Sequence, residues 1–239
     1  MNMYRAPQAP VDQDNQEFQG PAGGSLETAL SGQYKLGISD TIQEAWALVK
    51  GNKLAIWLGV LILGAIGVVL QLLAMAIVGT DDPESRKVSL LVNLLSLPVI
   101  SISSGFMMMV LKRIRGENVG VSVMFSYFPR TLPLILMSLL AWVVLVVSFL
   151  MLILPGIFLS VALSFTIFLM LDREMSVVNA MLTSVKIIAK KWFSFFFIGF
   201  FICMLNVVAC IPLCIGLIWS IPLCMVCYAY TYHKVCGQE

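Results

Sequence analysis

Residues 54–78 run for about seven helical turns without one charged side chain. A helix needs roughly 20 mostly apolar residues to cross the hydrocarbon core of a bilayer, and this run exceeds that. Only helices and closed barrels satisfy their backbone inside lipid. The strong helical apolar signal therefore points to an all-α integral membrane protein. Composition agrees: 59% of the 239 residues are hydrophobic and 12% charged, and the mean hydropathy is +0.94. Soluble domains carry about 25% charged residues. An ordinary soluble enzyme, a disordered regulator and a nucleic-acid binder are excluded.

Five further apolar segments follow. Residues 88–111 contain Pro98, a kink position. Residues 131–154 carry Pro133 near their start, where proline is tolerated. Pro155 and Gly156 interrupt the pattern before 157–171, and Pro212 and Gly216 divide the last stretch into 193–211 and 217–232. Six spans result. The fourth and sixth reach only about 23 Å at 1.5 Å per residue, against a core of about 30 Å. Either those helices begin inside the assigned turns, or the turns lie below the membrane surface under protein cover. Four spans with two re-entrant pieces are the alternative.

Charge asymmetry orients the chain. The loop after the first span holds Asp81, Asp82, Glu84, Arg86 and Lys87, and the turns at 155–156 and 212–216 hold no charge. The other thirteen basic residues fall on the opposite side. By the positive-inside rule, both termini are cytoplasmic. Residues 1–37 are polar and lack a signal peptide's apolar core, and are expected to be a disordered cytoplasmic tail. The membrane domain is 38–235.

A threefold pattern precedes the span pairs. Ile42, Ala45, Trp46 and Val49 fall at i, i+3, i+4 and i+7; so do Val121, Met124, Phe125 and Phe128; so do Val178, Met181, Leu182 and Val185. This spacing makes a helical apolar stripe. It predicts short amphipathic helices over 39–50, 119–128 and 176–191, lying in the cytoplasmic interface or packed on the hairpins. Thr41 with Glu44 reads as a capping box, Ser176 as an N-cap and Gly51 as a C-cap. Asp172 and Glu174 read as charges at a helix start.

Two stretches carry a family likeness. One is Leu154-Pro-Gly-Ile157, then Asp172-Arg-Glu174 and a helix ending in Lys190-Lys-Trp192; the other is Gly216-Leu-Ile-Trp-Ser-Ile-Pro222 before Tyr228-Ala-Tyr230. Over residues 38–235 the chain resembles bacterial multi-pass inner-membrane proteins of the YciC-like group. That group includes the membrane domain attached to some glycerophosphodiester phosphodiesterases. The resemblance implies a six-helix inner-membrane protein of a group whose function is largely unassigned, without the phosphodiesterase activity.

Few residues invite chemistry. No Asp, Glu, Lys, Arg or His stands well inside an assigned span, which argues against a proton-coupled transporter. Asn93, Ser101 and Asn206 are the candidates for a polar path. Ser101 with Gly105 and Ser160 with Ser164 are small-xxx-small pairs suited to close packing. Cys224 and Cys227 form a C-x-x-C within a lipid-depth helix rather than at a strand-to-helix turn, and read as packing rather than a redox or metal site. No cofactor or metal is expected. His233, Tyr228, Tyr230 and Tyr232 read as an interfacial belt. Lys112, Arg113, Arg115, Lys190 and Lys191 set topology and are candidates for anionic headgroup contact, worth about 1 kcal/mol each near the surface.

These features point to a non-catalytic membrane protein. It would organise lipids or serve as an accessory or scaffold subunit, with membrane lipids and a protein partner or second copy as its company, and no nucleic acid. A transporter, exporter or immunity-type protein for an apolar or amphipathic substrate is the alternative. An enzyme acting on lipid through Asp172 and Glu174 is the weakest reading.

Overall fold

A computed structural model describes residues 23–34, 36–79, 85–211 and 216–237. Every regular element among them is helical. Helix α1 covers Leu26–Ser31, and α2 covers Ile38–Val78. Helices α3 (Arg86–Leu95) and α4 (Val99–Ile114) are followed by 3₁₀ turns at Val121–Phe125 and Phe128–Arg130. Then come α5 (Thr131–Met151), α6 (Ile153–Ala162), α7 (Thr166–Asp172) and α8 (Val177–Ala189), and last α9 (Trp192–Cys210) and α10 (Leu217–Cys236). The expected loop at 80–84, the turn at 212–215 with Cys214, and residues 1–22 lie outside the described residues.

Four helical segments are long and apolar enough to cross a membrane: Asn52–Val78, Val121–Met151, Ile153–Asp172 and Trp192–Cys210. The pair α3 and α4 makes a fifth if its 53° bend is counted within one span. The bend falls where Pro98 removes a backbone donor, and the Ser101 hydroxyl bonds the Pro98 carbonyl at 2.7 Å. Pro98 thus breaks the segment into two helices, a stronger effect than a kink.

The segment 157–171 proves longer than its apolar run. Leu152 is extended at the break (φ −166°), and α6 starts at Ile153, so Pro155 sits in its first turn, where its missing N–H does no harm. Counted through α7, Ile153–Asp172 is about 30 Å long. A short break at Leu163–Phe165 divides it, and the Ser184 hydroxyl of α8 bridges that break, donating to the Ala162 carbonyl at 2.6 Å and accepting from the Phe165 amide at 3.1 Å.

Helix α2 overturns three expectations. It runs unbroken through Gly51, so the predicted amphipathic helix 39–50 and the span 54–78 are one rod and Gly51 caps nothing. A mid-helix glycine costs about 1 kcal/mol, which burial of Thr41, Ala45, Val49, Ala55 and Ile56 on one side outweighs. The helix also starts before Thr41: Gly37 is the N-cap, and the buried Thr41 hydroxyl donates back to the Gly37 carbonyl at 2.7 Å. No Thr41–Glu44 capping box forms, because Glu44 bonds α10 instead.

The register of α10 is the second departure. Its Lys234 meets Glu44 at 2.8 Å, and the Trp57 indole donates to the Ile218 carbonyl at 3.2 Å. Helix α10 therefore runs antiparallel beside residues 44–57 of α2, the half that precedes most of the apolar run. It is not among the helices apolar enough to span, and twelve of its residues are buried, from Ser220 to Cys236. The turns of α2 beyond residue 59 are covered on one side by α3 and the core and exposed on the other: Ala74 is buried, Leu61, Val68, Val69, Leu72 and Ile77 are exposed, and a Cβ at Gly64 or Gly67 would meet open space.

The core gathers where α4 and α7 end and α8, α9 and the C-terminal half of α10 meet. Tyr232 stacks on Phe168 at 4.8 Å and meets Phe165 edge-on at 5.3 Å, and Phe165 meets Phe195 in the same way. Residues 25–34, inside the stretch expected to be disordered, join this core. Ser25 and Thr28 form a reciprocal capping box, and Gly32 ends α1 with φ +78°. Tyr34 is buried, donates to the Ile187 carbonyl at 2.9 Å and meets Phe195 edge-on. Burial pushes the Tyr34 phenol well above its usual pKa.

Candidate functional site

The charged side chains of the bundle meet at the end where α4 and α7 finish and α5 and α9 begin. Arg115, just past α4, grips Asp172, the last residue of α7, through two bonds of 2.6 and 2.7 Å. Each side chain is 9% exposed. The Tyr232 hydroxyl donates to the same carboxylate at 2.9 Å, and Arg115 also bonds the Gly237 carbonyl at 3.2 Å. Burial alone would lower the Arg115 pKa, but the hydrogen bond and charge of Asp172 carry it above its ordinary value. Arg173 donates to the Cys236 carbonyl at 2.8 Å. A fork-to-fork pair of this kind fixes orientation as well as charge, and here it ties α4 and α7 to the end of α10.

Arg115 therefore leaves the set of headgroup contacts: its guanidinium is spent inside the protein. Three others are engaged more loosely. Lys112 faces Glu117 at 3.6 Å, Arg113 reaches Asn52 at 3.5 Å, and Lys191 bonds the Tyr34 carbonyl and lies 4.9 Å from the centre of the Tyr34 ring. Lys190 is exposed. Asp172 and Glu174 are likewise not helix-start charges. Asp172 ends α7, and Glu174 pairs with Arg130 at 2.5 Å from a loop position with φ +52°.

The stripes are present as residues but rotated as faces. Val49 is buried, Ile42 and Val185 are half-buried, and Trp46, Val178 and Leu182 are exposed. The inward face of α8 is instead Ala180, Met181, Ser184, Ile187 and Ile188. Residues 119–128 form no α-helix: Val121 is half-buried, Met124 is buried, and Phe125 and Phe128 are exposed on 3₁₀ turns. Trp46, Phe125, Phe128, Val178 and Leu182 thus supply exposed apolar side chains to the charged end. Ser176 is the N-cap of α8 by position, but its hydroxyl makes no cap bond.

The expected interfacial belt does not form. Tyr230, Tyr232 and His233 are buried within the core of α10, and only Tyr228 is partly accessible. Of the packing pairs, Ser101 and Gly105 face inward: a Cβ at Gly105 would stand 2.2 Å from the Met124 carbonyl oxygen. Ser160 is exposed.

Two recesses lined by described residues bear on the site. The first, about 390 Å³, lies between α6, the α6–α7 break, α9 and α10, with Phe165, Ile198, Gly199, Ile202, Cys203, Asn206, Cys224 and Tyr228 on its walls. No carboxylate, imidazole, guanidinium or ammonium lines it. Asn206 donates to the Ile202 carbonyl and accepts from Ser220, both at 2.8 Å. The expected polar path does not assemble: Asn206 lines this cavity, Ser101 is buried in a bond with Thr131, and Asn93 is exposed on α3. The second recess, about 570 Å³, is a groove between the start of α5 and the α7–α8 loop.

Among the described residues, no group of three or more His, Cys, Asp or Glu is placed to hold a metal ion. Cys203 and Cys224 border the first cavity, and Cys227 and Cys236 are buried. No family model matches the chain, and neither the curated proteins nor the solved structures yield a match.

The Arg115–Asp172 pair had no sequence signal, since its members stand 57 residues apart. The docking of Tyr34 had one: Ser25, Thr28 and Gly32 punctuate a short helix.

Proposed function

We propose that this is a non-catalytic integral protein of the bacterial inner membrane that works by holding lipids or a partner chain. The exposed apolar face of α2 beyond residue 59 carries the reading. Beyond residue 59 this helix projects past α10; α3 and the core cover one side, where Leu63 and Ile66 pack and Ala74 is buried, while Leu61, Val68, Val69, Leu72 and Ile77 stay exposed on the other. A bilayer-facing helix needs no cover in lipid, and small residues such as Gly64 and Gly67 let a second helix approach closely. The charged end supports the same view. Its buried ion pair, Lys191 and Lys234 tie elements together, and no carboxylate, imidazole or ammonium lines the apolar cavity. Both termini face the cytoplasm under this proposal, with the cationic end at the inner leaflet. The likeness to the YciC-like group is compatible with such a role.

The test is native mass spectrometry of the protein released gently from its own membrane. A stoichiometric companion, or a second copy, that is lost on Gly64→Leu or Gly67→Leu supports an accessory or scaffold role. Both substitutions enter open space, so folding is not at stake. Retained lipid without a companion supports lipid organisation. A bare monomer stripped of both contradicts the proposal. Asn206 in the cavity wall is the one observation favouring an exporter of apolar substrates. That reading requires flux in proteoliposomes which Gly199→Leu, filling the cavity from a position with no neighbour within 4 Å, abolishes.

A further inference from the structure

The second recess has a chemistry of its own. Its rim is Arg130 and Glu174, paired at 2.5 Å, with side chains 39% and 73% exposed. Its walls are Leu132, Pro133 and Leu136 on the outer side of α5, and Met170 and Met175 from the other flank. Arg130 directly precedes α5, and Glu174 follows the end of the apolar run Ile153–Asp172. The two charges therefore stand where spanning helices emerge, and the apolar wall leads from them toward the bilayer interior. Leu132 and Leu136 are both exposed along that wall. Ser176, with its hydroxyl free of any cap bond, completes the rim.

We infer that this groove binds a phospholipid whose headgroup carries both a phosphate and a primary ammonium, as phosphoethanolamine does. The inference rests on the lipid-holding reading above and names the lipid. Charge complementarity decides the class. A purely anionic head would meet Arg130 but be repelled by Glu174, the more exposed of the pair. A zwitterion satisfies both, with phosphate oxygens accepting from the guanidinium and the ammonium donating to the carboxylate. A quaternary choline ammonium has no proton to donate, so it loses the second contact. One acyl chain then lies along Leu132, Pro133 and Leu136. The pair observed at the rim opens to admit the head, an exchange made easy by its exposure, since exposed pairs contribute little.

The experiment uses the full chain in detergent and compares lipids of identical acyl chains with phosphoethanolamine, phosphocholine and phosphoglycerol heads. Retention is read by native mass spectrometry, and the accompanying rise in melting temperature is read beside it. The hydrogen bond to a charged group that choline cannot make is expected to let the phosphoethanolamine lipid be retained about tenfold better or more than the phosphocholine lipid. Glu174→Gln abolishes that preference while leaving phospholipid bound. Arg130→Gln weakens all three. Leu136→Trp, which blocks the wall and leaves both charges in place, weakens all three as well and guards against a rim variant that folds poorly. Equal retention of the three lipids, or a preference that survives Glu174→Gln, overturns the inference while lipid holding itself stands. Loss of all lipid and of any companion overturns both.

Discussion

Replacing Asp172 with Asn leaves a guanidinium stranded. Arg115 is 9% exposed and directs two short bonds at this carboxylate. Asparagine keeps one acceptor for Arg115 or Tyr232 but no charge. Breaking a buried ion pair by removing one partner costs about 3–5 kcal/mol, because the remaining charge stays desolvated. A change of 1 kcal/mol moves the melting point of a chain this long by roughly 2–4 °C, so Asp172→Asn is expected to lower it by roughly 6–20 °C. Tryptophan fluorescence during heating in a mild detergent reads this directly. The double variant Arg115→Met with Asp172→Leu removes both charges and is expected to recover more than half of the loss, since apolar replacements of buried pairs are often neutral or better. A loss below about 1 kcal/mol for the single variant is the signature of a hydrated surface pair. That result refutes the claim that this contact locks α4 and α7 to the end of α10.

Gly105→Ala is expected to destabilise by about 1–3 kcal/mol, because the new Cβ meets the Met124 carbonyl oxygen at 2.2 Å and backbone must shift. Gly64→Ala, in open space, is expected to be neutral or to stabilise by about 0.5–1 kcal/mol, and thermal melts of the two variants side by side test the contrast. Acid sensitivity has a source in Glu44. Burial pushes its pKa up, but the Lys234 and Tyr230 hydrogen bonds outweigh that and lower it from the ordinary 4.5. A lowered pKa contributes stability that is complete above pH 4.5 and fades as the pH falls through the lowered value. The pair is partly exposed, so the effect is at most about 1 kcal/mol. Melting of Glu44→Gln against the parent between neutral pH and pH 3 checks it: the two curves converge in acid if the assignment holds.

The apolar runs were legible because lipid-length hydrophobicity leaves few alternatives. The bounds of α5 and α9 follow the sequence closely for that reason. What periodicity did not reveal was which face of a helix turns inward. Where most residues are apolar, a four-residue stripe can be drawn on several faces. In α8 the packed face is chosen by small residues, Ala180 and Ser184, that let α6 and α7 approach. Punctuation misled in both directions. Gly51 signals a stop, but packing on either side of it overrides the local preference. Ser25, Thr28 and Gly32 signal a helix, but the polar composition around them masked it. The register of α10 against α2 and the Arg115–Asp172 pair are long-range facts, set by which polar groups find partners, and no local pattern encodes them. Of the candidate headgroup cations, Arg115 alone was withdrawn into the interior. Arg130, which rims the groove between α5 and the α7–α8 loop, was visible only as a basic residue near a span.

The proposed topology puts the cationic end of the bundle on one side of a membrane and the start of α3 on the other. Single cysteines, Asn118→Cys and Ser126→Cys at the charged end and Lys87→Cys at the start of α3, placed in a chain whose native cysteines are replaced, test it with a membrane-impermeant maleimide. Asn118→Cys and Ser126→Cys are expected to react only in inverted vesicles, and Lys87→Cys only in right-side-out vesicles. Labelling of all three positions from the same side would contradict the claim.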